Sequence, residues 1–398
     1  MKFAFWIPRR SHLKILCPVA AAARQRGDHC LALYPSGALR GPKDDARAAV
    51  GVDPALVPFD AAREVADEVD AEIHLRDVDW TVAVGLRTAP AIRAYTRASG
   101  VRWACLDHLG DNLLAVLESD KEAFADWDLA TTLAEGPRLA AAGEALGGHP
   151  RGNWAVSNAF FEFELTGYPE LDQLDLPGMT REACRAKWNL PQGQNIVLFA
   201  PAARPANLSR LRRWWWGRRD YPFLARQVRR FCDRHGALLL TKTRAKHGDP
   251  AWLAGLSDFY IGETCYYPFD TLELLVACDA VVGFVSALAV EAAAVGRPQV
   301  WLHAWPPEKS EWPANLPLRR RFFLAPGGLW NHAGARAMNA FGPRWRQHLR
   351  HWAEWGAWPV LTDQGRAAMR GALERWAGAV DGKSAERFLD LLEDQRGR

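Results

Sequence analysis

The sequence predicts an α/β chain of two doubly wound, Rossmann-like domains in tandem, and three observations carry that prediction. The chain has 398 residues, which at roughly 100–200 residues per domain is enough for two, each with its own core. Short apolar runs alternate with helical patterns from the first residues onward, as in successive βα units feeding a parallel sheet. The alternation breaks once, between Trp154 and Pro191, and then resumes. We therefore expect an N-terminal domain over 1–160, a linker over 161–192 and a C-terminal domain over 193–375, with a terminal helix over 376–398 free to return to the first domain. The two domains are expected to face a cleft.

The elements follow in order. Phe3–Ile7 reads as a buried strand, Ser11 as the cap of a helix from His12 to about Arg26, Gly27 as its stop, and Cys30–Tyr34 as the next strand. The same rhythm returns at Trp80–Gly85, with a helix over Pro90–Ser99 and a strand at Arg102–Asp107. Leu129–Thr132 is another strand, followed by an Ala-rich helix. A short strand at Trp154–Ser157, an acidic and aromatic stretch over Phe160–Tyr168 and a helix over Thr180–Trp188 make the break. Beyond it come strands Ile196–Ala200, Ala237–Thr241, Ala280–Phe284 and Gln299–Leu302. Helices are expected at Tyr221–His235, Thr271–Ala277 and Ser286–Val295. Trp345, Leu349, Trp352 and Trp355 form a helical stripe that reads as core.

Composition narrows the function. With 49% hydrophobic and 24% charged residues the chain is an ordinary globular one, which excludes collagen-like, disulfide-scaffold and disordered classes. A formal net charge of +4 is too small for a dedicated nucleic-acid binder. The seven cysteines are scattered without a C-x-x-C pair, which fits a reducing cytoplasm and argues against a thiolate zinc site. His348 and His351 share a helical face but make a poor metal site without a carboxylate or thiolate partner. No uncharged apolar stretch reaches the roughly 18 residues of a membrane span, so any membrane contact is peripheral, at the inner face of the plasma membrane. The outlier is Trp, with 19 copies, many of them beside Arg.

Ligands of open α/β sheets bind beyond the carboxyl ends of the strands, so candidate residues are sought there. His12, at a helix N-terminus that disfavours imidazolium, suits a general base or simply a capping turn. His108 lies between Asp107 and Asp111, either of which could orient it. In the second half Ser286 follows an apolar strand and suits a phosphate. Glu291, in an otherwise apolar helix, either meets ribose hydroxyls or lies on a solvent face. The loop Lys242-Thr-Arg-Ala-Lys-His-Gly248 offers Lys242, Arg244 and His247 as a phosphate clamp, and Arg204 adds a cation. The segment Arg210–Arg219, including Arg213, Trp214, Trp215, Trp216 and Arg218, mixes cations with aromatics. It suits anionic lipid, a phosphate-bearing glycan, or packing between domains.

Several stretches together resemble the GT-B glycosyltransferase superfamily. They are Ser11-His12 with Gly27-Asp-His29, Trp154-Ala-Val-Ser-Asn158, Asp270-Thr-Leu-Glu-Leu-Leu-Val-Ala-Cys-Asp-Ala-Val-Val-Gly-Phe-Val-Ser286 with Glu291, and Gly296-Arg-Pro298. The Thr180–Pro201 pattern, the Ser286-Ala287 turn and Asp381-Gly-Lys-Ser-Ala-Glu-Arg387 are most similar to the CDP-glycerol glycerophosphotransferases of teichoic-acid and capsule synthesis. That resemblance implies a CDP- or UDP-linked donor held by the second domain, a glycan or lipid-linked acceptor held by the first, and neither metal nor cofactor. It implies Ser286 and Ala287 at the donor pyrophosphate, Glu291 at the ribose, and Lys242, Arg244 or His247 at the transferring phosphate. The function expected is transfer of a nucleotide-activated sugar or alditol phosphate to a hydroxyl of a surface polysaccharide. Two alternatives stand beside it: a nucleotide-sugar 2-epimerase, and a non-catalytic glycan- or membrane-binding protein on a transferase scaffold.

Overall fold

A computed structural model describes residues 1–39, 57–85, 100–108, 129–132, 163–201, 216–243, 250–262, 267–284, 286–303, 327–339 and 344–396. The expected helices at 90–99 and after 132, and the expected strand at 154–157, lie outside the described residues. The chain forms two compact units. The first comprises Met1–Leu176, Cys265–Phe269 and Glu374–Arg398, and the second comprises Pro177–Thr264 and Asp270–Leu373.

The first unit is built on strands β1 (Lys2–Trp6), β2 (His29–Pro35), β3 (Ala61–Val65), β4 (Trp80–Val84), β5 (Arg102–Leu106), β6 (Leu129–Thr132) and β7 (Phe163–Leu165). The second is built on β8 (Ile196–Ala200), β9 (Leu238–Lys242), β10 (Phe259–Ile261), β11 (Ala280–Phe284), β12 (Gln299–His303) and β13 (Ala335–Asn339). Every pairing in both sheets is parallel. The orders are β3-β2-β1-β4-β5-β6-β7 and β10-β9-β8-β11-β12-β13. Six strands of each therefore follow one path, the Rossmann order 3-2-1-4-5-6. Sequence reading missed β3, β7, β10 and β13. These are the four edge strands of the two sheets; β7 and β10 have only three residues each, and β3 and β13 interrupt their apolar residues with Arg.

Four strands open on the same two-point contact. Asp79, one residue before β4, donates its main-chain N–H to the Lys2 carbonyl at 2.9 Å and accepts the Lys2 N–H on Oδ2 at 2.8 Å. Asp60 and Cys30 make the same exchange between β3 and β2 (2.8 Å and 2.8 Å). Asp279 and Ile196 make it between β11 and β8 (2.8 Å and 2.8 Å). Asp258 and Leu239 make it between β10 and β9 (3.0 Å and 2.7 Å). An aspartate carboxylate thus replaces the ladder bond that a parallel pair lacks at its first residue.

The first helix spans Arg10–Gln25, so Ser11 lies inside it; the cap position is Arg9, extended at φ −128° and making no side-chain cap bond. Pro18 falls in this helix and has no N–H to give the Lys14 carbonyl four residues back. Gln173 supplies the missing donor, its Nε2 reaching Lys14 O at 3.0 Å, while its Oε1 accepts the Phe269 N–H at 2.7 Å. The terminal helix Ser384–Arg396 belongs to the first unit. Asp172 caps it from a distance, accepting the N–H groups of Ser384 (3.1 Å) and Ala385 (2.7 Å), and Arg102 reaches the Gln395 carbonyl at 2.7 Å. Burial pushes the Asp172 carboxyl up to about 6 against the pull of those donors.

In the second unit the core under β8, β9, β11 and β12 is closed by helices Tyr221–Arg234 and Trp345–Trp355, through Leu224, Val228, Phe231, Leu349 and Trp352. Trp355, expected in that core, is instead 72% exposed; it is the last residue of the helix, one turn beyond the buried Leu349, Trp352 and Ala353. Gly283 is required in β11: a Cβ there would sit 3.1 Å from the Trp301 ring and 3.2 Å from the Ala200 carbonyl.

The wholly buried Arg185 distinguishes one aspartate from the rest. Its guanidinium donates to the carbonyls of Ala277, Pro191, Gln192 and Gln194 and to Asp279 at 2.9 Å. Asp79→Ala, at an exposed sheet edge, should cost about 1 kcal/mol. Asp279→Ala should cost about 3–5 kcal/mol, since it leaves a buried cation without its counter-charge. Urea unfolding of the two variants checks this, and equal midpoints would overturn the distinction.

Candidate functional site

Each unit presents candidate residues at the carboxyl edge of its own sheet. In the first unit β1 leads through Pro8-Arg9 into the helix that carries His12, whose N–H bonds the Arg9 carbonyl at 3.0 Å. β5 ends at Leu106 and delivers Asp107 and His108. Only β4 separates β1 from β5 in the sheet, so the two histidines belong to neighbouring strand ends. Asp107 is completely buried and held on both sides: its N–H reaches Thr131 Oγ1 at 3.2 Å, and its Oδ1 accepts the main-chain N–H of His108 at 2.8 Å. It fixes the backbone on which the His108 ring stands. Asp111 lies outside the described residues.

Behind these positions is a buried cluster that sequence reading missed. Lys14 Nζ pairs with Glu170 at 2.7 Å, with the Glu170 side chain fully enclosed. The ammonium lies 6.0 Å from the Tyr168 ring centre and 5.4 Å from that of Phe269. The Tyr168 ring in turn lies 6.4 Å from that of His108. The available signal was a lysine inside the apolar run Leu13–Val19, which a core-facing helix tolerates only with an acid opposite. Nothing local in the sequence shows that the acid lies 156 residues away.

In the second unit β9 runs to Lys242, one residue further than expected, so Lys242 ends a strand rather than opening a loop. Its Nζ donates to the Gly262 carbonyl at 2.8 Å and to Asp270 Oδ2 at 3.1 Å, and Thr271 Oγ1 reaches the other Asp270 oxygen at 3.3 Å. Lys242 is 6% exposed and Asp270 is fully buried, so the pair braces the strand end as much as it offers charge to a ligand. Arg204, Arg244, His247, Arg213, Trp214 and Trp215 lie outside the described residues. Trp216–Asp220 is a π-helical turn, in which Arg218 and Arg219 are exposed.

β11 ends at Phe284 and the following helix spans Leu288–Ala294. Ser286 is therefore not its cap; that position is Ala287, which has no capping side chain. The Ser286 carbonyl accepts the Ala289 N–H at 3.2 Å and the indole N–H of buried Trp330 at 3.0 Å. Trp330 is a second residue that sequence reading missed. Glu291 is 2% exposed, which removes the solvent-face reading and places a carboxylate inside the unit, one turn beyond the Ser286-Ala287 turn. In the opposite direction, the Asp77-Val-Asp79 triplet puts Asp79 at the amino edge of the first sheet, where it closes the β1 register.

The turn that carries Trp330 also holds His332. Its Nδ1 accepts the Gly334 N–H at 3.1 Å, and burial pushes the ring down to about 4. It is neutral near pH 7.

No family model matches the chain, and no curated protein matches it in sequence. Its fold does match solved structures. A UDP co-structure of MnaA from S. aureus is 11% identical, with 100% of this chain and 97% of that chain covered at a TM-score of 0.57. UDP-GlcNAc 2-epimerase from Neisseria meningitidis, bound to UDP-GlcNAc, is 10% identical over 99% of this chain and 100% of that chain, at 0.57. The wall teichoic acid polymerase TagF is 11% identical over 100% of this chain and 89% of that chain, at 0.59. At these identities the likeness shows the fold, which is GT-B with two Rossmann-like domains.

The His332 shift has a pH consequence. With its folded value below the ordinary 6.5, the neutral ring contributes stability that is present above pH 6.5 and lost as pH falls through about 4. The urea midpoint of the wild type should fall more steeply over that window than that of His332→Gln. Parallel curves would show that another group carries the acid sensitivity.

Proposed function

We propose that the chain is a metal-independent GT-B transferase that moves a nucleotide-activated sugar or alditol phosphate, CDP-glycerol-like, to a hydroxyl of a cell-surface polysaccharide or lipid-linked glycan. The observation that carries this reading is Glu291, buried one turn beyond the Ser286-Ala287 turn at the carboxyl edge of a Rossmann sheet. The two ribose hydroxyls of a nucleotide are donors that suit a carboxylate at this place beside a strand end. Ser286 and Ala287 would then lie at the pyrophosphate. Arg204, Lys242, Arg244 and His247 are the cations proposed to stabilise the leaving nucleotide.

The first unit would supply the base. Either His12 or His108 takes the proton of the acceptor hydroxyl as its oxygen bonds to the transferred carbon or phosphorus, and the bond to the nucleotide breaks with its electron pair leaving on phosphate. Asp107 holds the His108 backbone and so would set the approach of that ring. The acceptor's link to a membrane, and the part of Arg213, Trp214, Trp215, Trp216 and Arg218 in it, belong to the same proposal. A nucleotide-sugar 2-epimerase is the second reading, favoured by the two compared structures that carry UDP and UDP-GlcNAc.

A thermal-shift panel of CDP, UDP, GDP and CMP conjugates tests the donor, because a ligand at 100 times its Kd adds about 2.7 kcal/mol to stability. Glu291→Ala should weaken the best nucleotide by roughly 10- to 100-fold in calorimetry. Unchanged affinity in a folded variant would sink the ribose role. His12→Ala or His108→Ala should lower turnover strongly with donor affinity nearly intact. Full activity in both would move the base elsewhere. Conversion of UDP-GlcNAc without an acceptor would decide for the epimerase.

A further inference from the structure

The Ser286-Ala287 turn is held from outside its own helix. Helix Leu288–Ala294 starts without a capping side chain, and its first turn is closed by the Ala289 N–H on the Ser286 carbonyl at 3.2 Å and the Val290 N–H on the Ala287 carbonyl at 2.9 Å. The indole N–H of Trp330 adds a bond that no cap supplies, reaching the Ser286 carbonyl at 3.0 Å from 44 residues further along the chain. Losing that acceptor would leave a buried donor unsatisfied, so ring and carbonyl hold each other.

Trp330 can act as a fixed donor because its own turn is fixed. It is buried, as is Leu329 before it. Around it the Gly327 N–H meets the Asn331 carbonyl at 2.8 Å, the Asn331 N–H the Gly328 carbonyl at 3.0 Å and the Ala335 N–H the His332 carbonyl at 2.9 Å. The turn runs directly into β13, which pairs with β12 from Ala335 to Asn339.

The consequence falls on the other end of the same peptide. The Ser286–Ala287 bond is trans, and in a planar trans peptide the carbonyl and the N–H point in opposite directions. The helix returns from the end of β11 to the start of its parallel neighbour β12, so a carbonyl drawn along it points back down the sheet. The Ala287 N–H therefore faces the other way, beyond the carboxyl end of β11, where ligands of such sheets bind. We infer that Trp330 is a positioning residue, which aims the Ala287 N–H at the phosphates of a nucleoside diphosphate or its conjugate. The inference rests on the donor site proposed above and adds the group that sets its geometry. It also divides the ligand: Glu291 is assigned to the ribose, and the Trp330 bond serves the phosphates alone.

Calorimetry on the full-length chain tests it, with whichever of CDP, UDP and GDP the wild type binds most tightly and with the matching nucleoside. Trp330→Phe keeps a buried ring and removes the N–H. It should weaken the diphosphate about tenfold, the worth of one hydrogen bond to a charged group, and leave the nucleoside's affinity unchanged. Ala287→Pro removes the aimed N–H itself, at a φ of −54° that proline adopts. It should give the same selective loss, and Trp330→Phe in that background should add nothing, because both substitutions act on one bond. Where Trp330→Phe lowers the urea midpoint, replacement of Trp330 by benzothienylalanine repeats the test with the shape of the bicycle kept and the N–H gone. Unchanged diphosphate affinity, an equal loss for nucleoside and diphosphate, or losses that add in the double variant would each overturn the inference while the donor reading stands. A wild type that binds none of the three diphosphates would overturn the donor reading, and the inference with it.

Discussion

Both sheets depend on the exchange of two hydrogen bonds between an aspartate that precedes one strand and a single residue of the neighbouring strand. The contact recurs as Lys2 with Asp79, Cys30 with Asp60, Ile196 with Asp279 and Leu239 with Asp258. A parallel pair has no hairpin to set its register, and a slip of one residue would turn every buried side chain to the other face. The apolar runs of β1, β4, β8 and β11 are nearly continuous, so hydrophobic pattern alone specifies their register weakly. A carboxylate that can reach only one main-chain N–H removes the ambiguity, at about 1 kcal/mol per bond. The clamps occupy matching places in the two sheets, on the pairs β1–β4 and β2–β3 in one and β8–β11 and β9–β10 in the other.

Closing the amino edge this way leaves the carboxyl edge to the loops, and the polar groups found there fall into two kinds. Lys14 with Glu170 and Lys242 with Asp270 are enclosed pairs. Burying an ion pair gains little stability over an apolar pair of equal volume, but it tolerates only one arrangement of its partners. Each joins segments distant in sequence near a strand end: the first helix to the stretch after β7, and β9 to the helix Asp270–Ala277. Gln173 has the same effect by other means. Pro18 deprives the Lys14 carbonyl of its helical donor, and the amide that replaces it also binds Phe269. Of the other kind, His12, His108 and Ser286 stand where β1, β5 and β11 end.

Local signals in the sequence carried most of the fold. Apolar runs marked the central strands, and Gly27, Gly236 and Gly296 marked helix ends, each with a left-handed backbone at φ 85°, 59° and 73°. The edge strands β3, β7, β10 and β13 were not legible, because a strand with one neighbour can be as short as three residues or carry polar residues. Ser11 and Ser286 looked like helix caps, but Arg9 and Ala287 hold those positions, and neither makes a side-chain cap bond. Candidate site residues were legible as types at strand ends. Their supports were not: Tyr168, Glu170, Gln173 and Trp330 are set by contacts over tens to hundreds of residues, which no local pattern records.

The tryptophans show how far composition can be read once the fold is known. Trp6, Trp80, Trp103 and Trp301 are enclosed in or against the sheets, where a large ring fills the space between parallel strands and covering helices. Trp330 is enclosed too, and its N–H serves a carbonyl in the Ser286 turn. Trp352 stacks on Phe231. Three residues further, at the end of the same helix, Trp355 is 72% exposed. An exposed indole gains nothing for folding and invites association. It is the one ring among these that its own unit leaves mostly uncovered.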